Sequence, residues 1–132
     1  MGLVIERATV LEWPQIEALA RAYFDRMGRP YQDRGLEAEW FVARVGERVH
    51  GCYSTQVCDD LGQLWIMDLY RAETYSGARS VSRMFRHAYD RADEKGYAVG
   101  FTIDPENYAW WKVVERYSGA ECVGMIYLRQ PS

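Results

Sequence analysis

The residues Gly77, Ala78, Arg79, Ser80, Val81 and Ser82 are small apart from one arginine, and they stand just before a run whose apolar residues recur at helical spacing. The start of a helix carries backbone N–H groups without intrahelical partners and a partial positive charge, so small side chains there let the backbone approach a phosphate. The neighbourhood is basic: residues 71 to 87 hold Arg71, Arg79, Arg83 and Arg86 against Glu73 alone. Holding a pyrophosphate is the chemistry this combination suits. The same residues also suit a plainer role, with Ser76 or Ser80 as an N-cap and the arginines on a solvated helix face, and composition leaves both readings open. Elsewhere, His50 and Cys52 share a strand face and Cys58 precedes Asp59 and Asp60, but the spacing is not that of a metal site. His87 has no evident partner for nucleophilic chemistry and is expected at the surface.

The elements that must position these residues follow from periodicity. Leu3 to Val10 is β-branched enough for a first strand. Pro14 suits the first turn of a helix whose apolar positions are Ile16, Leu19, Ala20, Tyr23, Phe24 and Met27, ended by Gly28 and Pro30. Glu39 to Val45 and Arg48 to Val57 flank Gly46 and Glu47 as a hairpin, and Gln63 to Tyr70 is apolar on both faces, the mark of a central strand. A long helix carries Val81, Met84, Phe85, Ala88, Tyr89 and Ala92 as its apolar stripe, with Arg83, Arg86 and Asp90 opposite and Gly96 at its end. Tyr97 to Ile103 is the next strand, Asp104 and Pro105 start a third helix, and Cys122 to Leu128 alternates as a last strand. Residues 63 to 103 thus form a βαβ unit with parallel strands.

The 132 residues fit one domain, 1–132, and a net charge of −3 supplies no general attraction to nucleic acid. No stretch is long and apolar enough to span a bilayer, and the N-terminus lacks the pattern of a secretory signal, so a cytoplasmic location is expected. Cys52, Cys58 and Cys122 are an odd set without a CxxC pair, expected as reduced and largely buried thiols. Trp13, Trp40, Trp65, Trp110 and Trp111 are expected mainly in the core. Adjacent Trp110 and Trp111 cannot share one helix face, which leaves one of them for a partner, a homodimer included.

In order of elements and in motif, the chain resembles the GNAT superfamily of N-acetyltransferases. In that family a central strand leads into an Arg/Gln-x-x-Gly-x-Gly/Ala loop around the pyrophosphate of acetyl-coenzyme A, then a long helix, a strand, and a shorter helix opening near an Asn. The matching pieces here are LWIMDLY, GARSVS, the helix to Lys95, VGFTIDP and ENYAWWKVVERYSGAE. Asn107, Glu115, Arg116 and Gly119 fall on the family's final pattern, while Trp110 takes the place of its Ala. With Val81 between the two glycine positions, Ser80 and Ser82 stand where glycines are usual and Gly77 where Arg or Gln is usual.

The resemblance implies an α/β fold with a mixed sheet of about six strands flanked by three main helices. It also implies acetyl transfer from acetyl-coenzyme A, as co-substrate, to an amine acceptor of small-molecule or protein origin. The implied coenzyme site comprises Gly77, Ala78, Arg79, Ser80, Val81 and Ser82, the backbone of Leu69, Tyr70 and Arg71 beside the thioester carbonyl, and Asn107 on the pantetheine arm, the alternative for Asn107 being only to help start the helix beside Pro105. On the same strand, Asp68 is the implied general base, and the alternative for it is a strand-end carboxylate that caps a loop or pairs with Arg71. Val114 occupies the place of the family's acidic tyrosine, which makes Tyr117 the nearest substitute phenol. A second reading keeps the fold without turnover, as a binding or structural protein of the kind phages also encode.

Overall fold

The computed structural model describes residues 2–33, 38–102, 121–122 and 126–131. These form two compact units, one of Met1–Ser54 with Asp68–Met84 and one of Thr55–Met67 with Phe85–Ser132.

The first unit opens with β1 (Val4–Arg7), followed by a 3-10 turn over Val10–Glu12 and helix α1 (Trp13–Arg26). The first strand is shorter than its β-branched residues suggest. The Thr9 N–H donates to Glu12 Oε1 at 2.9 Å, and this local bond commits the chain to a turn. Pro14 lies in the first turn of α1, and Gly28, at φ +66°, follows its end. The hairpin is present as β2 (Glu39–Val45) and β3 (Arg48–Cys58), with Gly46 at φ +60° in the turn. Gln15 ties α1 to this hairpin, donating to Glu47 O at 3.0 Å and accepting from the Val49 N–H at 2.8 Å. β4 (Gln63–Arg71) begins in the second unit and enters the first at Asp68. The strand order here is β1-β2-β3-β4.

The Ala72 N–H donates to His50 O at 2.8 Å, and Ser54 meets Asp68, which sets β3 and β4 antiparallel with Cys52 opposite Tyr70. Strand alternation then places Cys52, Ser54, Asp68 and Tyr70 on one face and Gly51 and Tyr53 on the other. Helix α1 covers the first face, where Ile16, Ala20, Trp40, Val42, Cys52 and Tyr70 form a buried cluster. The start of α2 (Tyr75–Lys95) covers the second face. A Cβ added at Gly51 would lie 2.4 Å from Ser80 Oγ and 2.9 Å from Met84 Cε, so helix and strand approach closely there.

In the second unit Gln63–Ile66 of β4 pair in parallel with Ala98–Phe101 of β5 (Ala98–Thr102), as the βαβ reading requires. β5 pairs antiparallel with β7 (Ile126–Arg129), and β7 with β6 (Glu121–Cys122). The single last strand expected over Cys122 to Leu128 is therefore two antiparallel strands, and Gly124, of a residue type that weakens strand interiors, lies between them in sequence. With them the described strands number seven rather than about six. On α2, Phe85 meets Phe101 edge-on at 5.3 Å, and Asp93 binds Arg129 through two hydrogen bonds of 2.9 and 3.2 Å. Both expected flanking helices within the described residues, α1 and α2, are present; the third, after Asp104, lies outside them, as do Trp110 and Trp111. No described helix is long and apolar enough to cross a membrane.

Candidate functional site

The candidate residues that the structure brings together all belong to the first unit. Asp68 is buried, with 8% of its surface exposed, and is satisfied at both carboxylate oxygens. Ser54 Oγ donates to Oδ2 at 2.6 Å and Tyr70 Oη donates to Oδ1 at 3.1 Å. Asp68 is thus no strand-end carboxylate paired with Arg71; that guanidinium lies beside Glu73, 3.8 Å away. Two donors holding a buried carboxylate at fixed orientation is an arrangement suited to proton transfer at a defined point. Beside it, burial pushes the Cys52 thiol far up, the negative charge of Asp68 adds to the effect, and a backbone hydrogen bond with Tyr70 opposes it. Cys52 is therefore a neutral, unreactive thiol, in keeping with the expected buried role.

The register of β3 and β4 also orients the backbone. Asp68, Tyr70 and Ala72 turn their N–H and C=O groups toward β3, so Leu69 and Arg71 turn theirs toward the other edge of β4. Along that edge the described pairing with β5 covers Gln63–Ile66. Of the three expected backbone positions, Leu69 and Arg71 therefore turn outward on that edge, whereas Tyr70 turns its backbone toward β3 and its hydroxyl to Asp68.

Helix α2 starts earlier than the apolar stripe suggests. Thr74 is its cap: the Gly77 N–H donates to Thr74 Oγ1 at 3.0 Å and the Ala78 N–H to Thr74 O at 2.9 Å. The cap is neither Ser76 nor Ser80, because Thr74 places its oxygen three residues before Gly77 while Ser80 is already in the second turn. Residues 77 to 82 are accordingly helical, and they divide by face. Gly77, Ser80 and Val81 are buried; Ala78, Arg79 and Ser82 are exposed. A Cβ on Gly77 would fall 1.9 Å from Ala72 O, so Gly77 is required by packing. Ser80 is fully buried and donates to Gly77 O at 2.6 Å. The exposed remainder, with Arg83 and Arg86 further along, forms a basic stripe leading from the helix start. Asn107, Val114 and Tyr117 lie outside the described residues.

A small cleft of about 10 Å³, room for about one water, lies on the α1 side of the sheet. Trp13, Tyr31, Trp40 and Tyr70 supply its aromatic lining and Glu17 its carboxylate. Trp13 meets Trp40 edge-on at 5.7 Å, and Trp40 stacks on Tyr70 at 6.3 Å. The Arg21 guanidinium rests 4.1 Å over the Tyr31 ring and pairs with Glu17 at 2.9 Å. Burial raises the Tyr31 phenol, as do the charges of Asp33 and Glu17, while Arg21 opposes them. Sequence reading missed Ser54, the Tyr70 hydroxyl and this cleft. The spacing of Asp68 and Tyr70, two apart on one strand, was the available signal for the hydroxyl. Away from this site, His87 is half-buried rather than at the surface.

No protein-family model and no curated protein matches the sequence. Solved structures do. An acetyltransferase of the GNAT family from Staphylococcus aureus Mu50 matches with TM-score 0.80 at 6% identity, covering 99% of this chain and 100% of the other. The ribosomal-protein-S18-alanine N-acetyltransferase from Escherichia coli matches with TM-score 0.78 at 12% identity, covering 99% and 95%. A diaminobutyrate acetyltransferase from Paenibacillus lautus, solved with its substrate and coenzyme A, matches with TM-score 0.74 at 12% identity, covering 98% and 95%. The chain has the GNAT acetyltransferase fold, and the resemblance read from its motifs holds at that level.

Proposed function

We propose that the chain is a divergent GNAT superfamily member, a single acyltransferase domain that transfers an acetyl group from acetyl-coenzyme A to an amine. The observation that carries this reading is the buried Asp68 carboxylate, held by Ser54 and Tyr70 one residue from the outward-turned backbone of Leu69. Solved structures of the same fold that contain coenzyme A support it.

The residues at the start of α2 fit the coenzyme. Ala78 and Ser82 are small and exposed, and Arg79 and Arg83 bring positive charge to the same stripe. Bound there, acetyl-coenzyme A supplies an activated thioester. Asp68 takes a proton from the acceptor ammonium, the N–H of Leu69 or Arg71 polarises the acyl carbonyl, and Asn107 holds the pantetheine arm. Tyr117 returns a proton to the departing sulfur, in place of the phenol that Val114 lacks. That same valine favours a second reading, the same fold kept without turnover as a binding or structural protein.

Calorimetry with acetyl-coenzyme A and with coenzyme A tests the site; absence of binding at millimolar concentration refutes the acetyl-transfer reading. If the coenzyme binds, thiol release over a panel of amines separates the two readings. Asp68→Asn is expected to lower the rate by about 10²-fold or more while coenzyme affinity stays within about twofold. An unchanged rate removes Asp68 from the reaction.

A further inference from the structure

One carboxylate stands where the proposed coenzyme site is otherwise basic. Glu73 is the single acid among residues 71 to 87, and it directly precedes Thr74, the cap of α2. A carboxylate there lies at the positive end of the helix, where an anionic ligand of α2 would also lie. Two guanidiniums from different elements converge on it. Arg26 Nε, at the end of α1, is 3.3 Å from Glu73 Oε1, and Arg71 Nη1, at the end of β4, is 3.8 Å from Oε2. All three residues belong to the first unit.

The group carries two positive charges against one negative, so it attracts anions even with Glu73 in place. Glu73 is the most exposed of the three side chains, at 56%, and ion pairs so open to water are weak enough to be exchanged. Arg71 is the least exposed and its Nη1 also donates to Ala72 O at 3.3 Å, so the carboxylate is the member that moves. Thr74 takes the N–H groups of Gly77 and Ala78, which leaves those of Tyr75 and Ser76 at the helix start without an intrahelical partner. A diphosphate has more charge and more acceptor oxygens than a carboxylate, and therefore suits two guanidiniums and two N–H groups better than Glu73 does.

We infer that Glu73 is a built-in competitor for the diphosphate of the coenzyme, and that Arg26, which it holds, is a binding residue contributed by α1. The diphosphate displaces Glu73 from Arg26 and Arg71, so the affinity of the chain is set below what its arginines alone would give. The inference rests on the coenzyme reading for the identity of the ligand; the competition for two guanidiniums is a property of the three side chains.

The test titrates coenzyme A, and separately inorganic diphosphate, into the full chain by calorimetry at low and at physiological ionic strength. Glu73→Gln keeps the shape and removes the charge, and is expected to tighten both ligands about three- to tenfold at low salt, with a smaller gain at higher salt. Arg26→Ala made in the Glu73→Gln background should weaken both ligands about threefold or more. If Arg26 served only to neutralise Glu73, that second substitution would be silent, and Arg26 would be no binding residue. Both side chains are partly exposed, and unaltered far-UV spectra would establish that the variants fold. Coenzyme A bound no more tightly by Glu73→Gln than by the unaltered chain sinks this inference alone. Diphosphate bound more tightly by Glu73→Gln, with coenzyme A bound by neither protein, sinks the coenzyme reading alone. A gain for coenzyme A without one for diphosphate moves the competition to another part of the coenzyme and overturns the inference as stated, and no binding of either ligand to any of the proteins sinks both.

Discussion

Gly51 and Ser80 should be energetically coupled, and the coupling measures how tightly the start of α2 is held against the sheet. A methyl group at Gly51 would meet Ser80 Oγ at 2.4 Å, Met84 Cε at 2.9 Å and Ser80 Cβ at 3.2 Å. The methionine tip can move aside. The serine oxygen cannot do so freely, because it is buried and donates to Gly77 O at 2.6 Å. Overpacking of this kind costs about 1–3 kcal/mol, offset by at most about 1 kcal/mol from the stiffer unfolded chain. Gly51→Ala should therefore destabilise by about 1–2 kcal/mol. Ser80→Ala alone loses one buried hydrogen bond, about 1 kcal/mol, with a small return in helix propensity. In the Ser80→Ala background the oxygen is gone, and Gly51→Ala should cost no more than about 0.5 kcal/mol. Urea unfolding of the four proteins, followed by tryptophan fluorescence and circular dichroism, gives the cycle. Additivity within about 0.3 kcal/mol would show that Ser80 does not set the helix–strand distance, and the packing account of this serine would be wrong.

Gly77→Ala should be more severe, because the added carbon would lie 1.9 Å from the backbone oxygen of Ala72; a loss of about 3 kcal/mol is expected in the same unfolding assay, with weakened coenzyme binding. Arg129→Ala removes both hydrogen bonds to Asp93 and the guanidinium 4.5 Å over the Tyr89 ring, and should lower stability by about 1–3 kcal/mol, read as a shift of the urea midpoint. Burial, reinforced by Arg91, lowers the pKa of His87 from 6.5 against the pull of Asp90 and Glu94. The unfolded chain then binds the proton more readily, so this contribution to stability is complete above pH 6.5 and is lost as pH falls through the folded pKa. His87→Gln should flatten the stability profile below that point, and a profile unchanged by the substitution would remove His87 as its cause.

Much of the fold was legible because it depends on local periodicity. The hairpin about Gly46, the apolar stripe of α2 and the parallel pairing of β4 with β5 follow from spacing and turn residues. The doubled last strand was not legible, since alternation across Gly124 looks the same whether the chain continues or turns back. Asp68 was legible as a lone carboxylate in apolar company, and strand parity put Tyr70 on its face. Ser54 was not, because its place opposite Asp68 is set by the register of two strands. The aromatic cleft is harder still: Trp13 and Tyr31 come from α1 and the segment after it, and Trp40 and Tyr70 from two strands. Only the packing of α1 on that face of the sheet brings them together.

The segment from Gly77 to Ser82 shows why the choice between phosphate loop and helix start was badly posed. Small residues there answer two demands that fall on opposite sides of one helix. Gly77 and Ser80 face inward, where Ala72 and Gly51 leave no room for anything larger. Ala78, Arg79 and Ser82 face outward, where small side chains and positive charge are what an anionic coenzyme needs. A glycine at position 80 would serve the backbone of a tight loop; the serine instead bonds to Gly77 O and fills the contact with Gly51. The departure from glycine at that position is thus a packing choice on the buried side, and it leaves the exposed side free to bind. Coenzyme affinity should accordingly respond to Arg79→Ala and much less to Ser80→Ala, and calorimetry on the two variants would expose the opposite order at once.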